Sequence, residues 1–382
     1  MIPEPQLTYV LELLAALGPA ADDFVVAGAQ AMRFTVPEAR ATKDVDFVLN
    51  VLGLRAQPQS LAETLAKLGY TPVPESRNFQ FVKPIPDSRE TMRIEFMAPE
   101  EFKRNNDIRV DIQKGVHARA CTGGSIAVEQ SDLHTISGRL PDGTPYTGQI
   151  RVTHPHALVM LKLLALADRY QNIRGPKEAR HDREEAQTHA SDIIAILRVV
   201  TDIPSFNTSL VAQFHNEAAL GISVLRILAD YFRDSSSPSL ILYAEHVASN
   251  LPANPSTTET INAEIDNALQ VVLRFRPKPD FLSLAAAIDD STHGVPLVDE
   301  YLANLEQSRI PFSNPLALTL LPAGSFGGAY ARSTTFVTNA AELIARLEEP
   351  QRQLAFAYLQ SKIAPLQANA ELRSKYPRTL TS

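Results

Sequence analysis

"EARATKDVDFVLN", residues 38–50, sets two aspartates one residue apart at the mouth of an apolar run. The part "DVDFVLN" is rich in β-branched and aromatic residues and reads as a buried strand. Side chains two apart on a strand share a face, so Asp44 and Asp46 project together while Val45 and Phe47 project opposite. Carboxylates this close repel each other and raise each other's pKa unless a cation lies between them. Such oxygen ligands suit Mg2+ or Mn2+, particularly when substrate phosphates complete the coordination shell. A solvated strand face or a turn cap carries the same pattern, so the rest of the chain must supply the partners.

Just upstream, "FVVAGA" (24–29) reads as a short buried strand entering a small-residue turn, with a helical piece "QAMRF" after it. Backbone amides at a turn such as Gly28-Ala29 bind phosphate oxygens. Downstream, 78 to about 152 is patterned mostly as strand: "FQFVKP", "MRIEFMA", "IRVDIQ", "SIAVE" and "GQIRVTH". Glu95, in "MRIEFMAP", interrupts an apolar environment formed by Ile94 and Phe96. If its strand neighbours "DVDFVLN", three carboxylates meet at one sheet edge. Asp111, in "IRVDIQ", competes for that third position.

After His156 the spacing turns helical. Lys162 is the only charge in "ALVMLKLLALA" (157–167), and burying an unpaired ammonium is costly. Arg169 lies two helical turns on, on the same face. Together they form a stripe suited to a triphosphate, or Lys162 snorkels from an amphipathic helix with Arg169 on its solvent side. Asp192 orients one of these cations, acts as a base, or caps the helix "IIAILRVV". His181 and Asp182 lie in a polar segment read as a solvated loop or helix end. Helices are also expected at 6–18 and 60–70, with loops at "SSSPS" (235–239) and "PANPSTT" (252–258).

The bulk numbers exclude several classes. The chain has 382 residues, a net charge of -7, 45% hydrophobic residues and one cysteine, Cys121. No disulfide framework is possible within it, and a reducing, cytoplasmic setting is expected. Its N-terminus reads as an amphipathic helix rather than a signal peptide, and no apolar run approaches a membrane span. There is no Gly-Lys dipeptide, HExxH, CxxC or GxSxG, which removes the P-loop, the commonest zinc signatures and the hydrolase elbow. The glycine turns "TGGS" (122–125) and "GSFGG" (324–328) carry no dinucleotide fingerprint.

"VVAGAQAMRF...EARATKDVDFVL" resembles the opening of polymerase-β-type nucleotidyltransferases, and more narrowly the AbiEii-type toxin nucleotidyltransferases. The turn is Gly28-Ala29, and the strand pattern is Arg40, Thr42, Asp44 and Asp46. A second block matches through Lys162, Ala165, Arg169 and Asp192. Ala29 stands where many members have serine, and the third acid is glutamate rather than the more usual aspartate. Over residues 24–200 the resemblance implies an α+β fold, a mixed sheet with flanking helices, and the helical spacing after His156 adds a mostly helical C-terminal region. It implies that Asp44, Asp46 and Glu95 hold Mg2+ (or Mn2+). Gly28, Ala29, Arg40, Thr42, Lys162 and Arg169 would bind an NTP, with Asp192 as an orienting acid. The organisation expected is a core at 1–152, a phosphate-binding helical segment at 153–200, and a helical region at 201–382. The activity implied is transfer of an NMP to an acceptor hydroxyl on RNA or protein, in a toxin with an antitoxin partner. A binding module of the same fold without turnover, and a housekeeping enzyme acting on a small molecule, are the alternatives.

Overall fold

The computed structural model describes residues 2–285 and 344–361, apart from 38, 41, 87, 105–106, 252–256 and 279–280. The turn at 324–328 and most of the loop at 252–258 lie outside the described residues. Nine strands form one mixed sheet: β1 (Phe24–Ala27), β2 (Asp44–Leu49), β3 (Thr71–Pro72), β4 (Gln80–Pro84), β5 (Thr91–Pro99), β6 (Arg109–Gln113), β7 (Val116–Cys121), β8 (Ser131–Arg139) and β9 (Pro145–Thr153). The order along the sheet is β3-β4-β5-β2-β1-β9-β8. Strand β5 gives one edge to β2, and divides its other edge between β4 along its first half and β7 along its last residues. The β1–β9, β2–β5 and β5–β7 pairs are parallel, and the others are antiparallel.

The helices of the first part are α1 (Gln6–Leu17), α2 (Gly28–Met32), α3 (Val51–Ala56), α4 (Leu61–Lys67) and α5 (Gly124–Glu129). They are followed by α6 (Pro155–Gln171), α7 (Ala179–Val199), α8 (Ile203–Ala212), α9 (Ala218–Tyr231), α10 (Pro238–Asn250) and α11 (Thr257–Leu273). Sequence accounts for several ends. Ser60 caps α4 by accepting from the Glu63 amide, Asn50 caps α3 through the Gly53 amide, and Pro155 opens α6 where a missing N–H costs nothing. Among the described residues no helix is long and apolar enough to cross a membrane.

The two faces of the sheet have different chemistry. On one, Phe24, Phe47 and Phe96 are fully buried, and Phe24 meets the other two edge to face, with the Phe24 and Phe47 rings 5.6 Å apart. Burying each such ring is worth roughly 1.5–3 kcal/mol. The opposite face carries Asp44, Asp46 and Glu95. Its apolar part is small: Ala27, Val48 and Ala127 form a buried cluster with Met97, Val128 and Leu161, where α5 and α6 cover the strands.

Two features depart from the expected pattern. "SIAVE" was expected as a strand and is the helix α5, opened by Gly123 in the left-handed conformation (φ +74°). A five-residue apolar run has no period long enough to separate strand from helix, and the backbone turn before it decides. Strands β3, β7 and β8 and the short helix α3 were not anticipated. The β8 sequence, "SDLHTISGR", is too polar to read as a strand and is held by a nine-residue ladder to β9, whereas "VHARAC" carries a period of two over only six residues.

The chain forms two compact units: Met1–Phe206 with Asp230–Phe275, and Asn207–Ala229 with Arg276–Ser382. The first holds the whole sheet, with α6, α7, α10 and α11 packed on one another. In the second, Phe214, Leu225, Leu228, Phe281 and Leu354 are buried.

Candidate active site

The acidic half begins at β2. Asp44 and Asp46 share its polar face as expected, and the parallel register sets Asp46 directly opposite Glu95 on β5. Gly28 faces Asp46 from the other side. It has φ +61°, and a Cβ built on it would lie 1.9 Å from Asp46 Oδ2. The turn between β1 and α2 therefore needs glycine for both its backbone and its closeness to the carboxylate. Thr42 shapes the entry to β2, its hydroxyl accepting from the Asp44 amide at 3.3 Å. Gln30 on α2 is fully buried; its Nε2 donates to the Thr42 carbonyl and its Oε1 has no partner.

The electrostatics follow from this crowding. Burial, then the charges of Glu95 and Asp44, push Asp46 up to about 7, against the pull of Lys162 and Arg119. Asp44 is raised too, by burial first, with Arg93 and Arg40 opposing and Glu95 adding. A cation between the two aspartates would relieve both penalties.

Glu95 arrives at the site already engaged. Arg119 Nε on β7 donates to its Oε1 at 2.8 Å, and Gln80 Nε2 on β4 donates to its Oε2 at 2.7 Å. The competing acid, Asp111, lies on β6, beyond β7, with His117 Nδ1 3.0 Å and Arg104 3.4 Å from its oxygens. Among the described residues no group of three or more His, Cys, Asp or Glu side chains is arranged to hold a metal ion.

The cationic half comes from α6 and α7. Lys162 is buried, and its Nζ donates to Asp192 Oδ2 at 2.6 Å. Arg40 reaches the same carboxylate from the loop before β2, at 3.3 Å. Burial works against the charge of Asp192, but Lys162 and Arg40 outweigh it and hold its pKa below the usual carboxylate range. Asp192 contacts Lys162 and Arg40, not Arg169, and lies within α7 rather than at a helix cap. Arg169, the other member of the expected stripe, lies 3.5 Å from Asp182, which also accepts from Arg174. The segment read as solvated is thus the first turn of α7, with His181 exposed but Asp182 buried. Two arginines explain how that carboxylate leaves water.

Reading the sequence alone missed three residues here. Arg119 and Gln80 bind Glu95, and His189 on α7 lies within electrostatic range of Lys162, Asp192, Arg40 and Arg169. Burial, with Lys162 adding, pushes His189 down to about 3, so its ring is neutral, and its Nδ1 has no partner. The available signal for Arg119 was the alternation in "VHARAC", which sends His117 and Arg119 to one face.

A family model described as the nucleotidyl transferase AbiEii toxin of type IV toxin–antitoxin systems matches residues 12–287. This chain belongs to the AbiEii family. The match contains both halves of the site, from Gly28 to Asp192. It extends past residue 200, where the sequence had shown no resemblance, through α8 to α11. No curated protein shows significant similarity to this AbiEii-family chain.

Proposed function

We propose that this AbiEii-family nucleotidyltransferase moves an NMP from an NTP to an acceptor hydroxyl on RNA or protein, in a Mg2+-dependent reaction that releases pyrophosphate. The observation that carries this reading is the pair Asp44 and Asp46 on one strand face, with Gly28 against Asp46 and Lys162 close enough to act on its charge. The donor set fits a hard cation: two carboxylates whose protons are held by burial and repulsion, with phosphate and water as the remaining ligands in place of further side chains. Asp44 and Asp46 would hold Mg2+, with Glu95 beside them. Bound there, Mg2+ supplies charge neutralisation on the phosphates and a lowered pKa for the acceptor hydroxyl.

The chain's own residues do the rest. Backbone amides of Gly28 and Ala29 would donate to phosphate oxygens, and Thr42 holds the strand entry in place. Lys162, oriented by Asp192, and Arg40 would supply positive charge toward the triphosphate, with Arg169 behind them. The toxin activity would be restrained by an antitoxin partner.

Incubating the purified protein with each labelled NTP, Mg2+ and total RNA or cell protein tests the reading. Label transfer should occur and should vanish in Asp44→Ala and Asp46→Ala. Nucleotide binding without transfer, unaffected by Asp44→Ala, would instead support a binding module. Growth arrest on expression, relieved by a neighbouring gene product, checks the toxin assignment.

A further inference from the structure

Both oxygens of Glu95 are hydrogen-bonded, and one partner is a cation. Arg119 Nε lies 2.8 Å from Glu95, and the register places the strand that carries it directly on the outer edge of β5. Gln80 closes the second oxygen from β4, the other strand on that edge. The side chain of Glu95 is mostly buried, at 16% exposure. A carboxylate held in this way by a guanidinium and an amide has its charge already compensated, while Asp44 forms a looser, 3.8 Å contact with Arg93.

We propose that Arg119 is a positioning residue that keeps Glu95 out of the metal coordination shell, so that Asp44 and Asp46 alone supply the protein ligands of one divalent ion. This rests on the metal-site reading above. Glu95 then stays beside the ion without binding it, and Arg119 lowers the affinity of the site by placing a guanidinium behind it. The result is a site that holds its metal weakly by itself and fills its shell from the nucleotide's phosphates.

The test is a Mn2+ titration of the full-length protein, read by the electron paramagnetic resonance signal of the free ion. Arg119→Met frees Glu95 and should tighten Mn2+ binding about tenfold or more. The charge-balanced double variant Arg119→Met/Glu95→Gln should return to within about threefold of the wild type. Arg119→Lys keeps the charge without the fork and should fall between wild type and Arg119→Met. A thermal melt on each variant confirms that it is folded. If Glu95 is a ligand in the wild type, the double variant binds Mn2+ at least tenfold more weakly, and the proposal is overturned. Unchanged affinity in Arg119→Met overturns it as well. Wild-type protein that binds no Mn2+ even with a nonhydrolysable NTP would remove the metal-site reading itself, a result distinct from either of these.

Discussion

Replacing Asp46 with asparagine in the metal-free protein should raise its melting temperature at pH 8 while leaving it nearly unchanged at pH 4. Asp46 is raised from the ordinary 3.8 to about 7 by burial and by the neighbouring charges of Glu95 and Asp44. Because the folded pKa lies above the unfolded one, the folded state binds the proton more tightly. Its contribution is therefore most favourable below about pH 4 and is lost as pH rises toward about 7, after which it is constant. The interval is about 3 pH units at about 1.36 kcal/mol each, an upper bound of about 4 kcal/mol. The carboxylate retains some access to water, and screening reduces this to about 2 kcal/mol. In a unit of this size that corresponds to roughly 4–8 °C. His156 and His189, depressed to about 4 and about 3 chiefly by burial, work in the opposite direction below about pH 6.5. The quantity to follow is thus the difference between variant and wild type, by calorimetry in EDTA from pH 4 to 8. Two parallel melting curves across that range would refute the argument that Asp46 is ionised against a penalty. Saturating Mn2+ should shrink the difference at pH 8, since the ion supplies the missing charge to the wild type.

Gly28→Ala places a Cβ 1.9 Å from Asp46 Oδ2 at φ +61°. It should lower stability by about 1–3 kcal/mol and remove transfer activity, while Ala29→Gly, with no such approach, retains activity in the labelled-NTP assay. Lys162→Met leaves Asp192 buried with Arg40 as its remaining ion-pair partner among the described residues and should cost about 3–5 kcal/mol in urea unfolding. The double variant Lys162→Met/Asp192→Leu should recover most of that loss; recovery of none of it would mean that the pair is not coupled as its 2.6 Å contact implies.

How legible the site was depends on the kind of contact. Asp44 and Asp46 share a face because of the strand's period of two, a local property, and the sequence displays it. Lys162 stood out as a lone charge in an apolar run, and burial with Asp192 satisfies the requirement that a buried ammonium be paired. Arg119 and Gln80 left no comparable mark. They meet Glu95 only because β7 and β4 divide one edge of β5, a pairing between residues 15 and 24 positions away. Asp182 looked like a surface residue for the same reason: its burial depends on Arg169 and Arg174 coming together around it.

By itself, the sequence determined α1 and α4, the strands β1, β2, β4, β5, β6 and β9, the helical texture after His156, the paired aspartates, the glycine turn and the family resemblance, since each rests on local period or on a short contiguous motif. The tertiary structure decided that α5 is a helix, that Glu95 rather than Asp111 adjoins Asp46, and that Glu95 comes with its own guanidinium. Those outcomes depend on strand order and register, and the free energy that selects them comes from burial across the whole sheet rather than from any one segment.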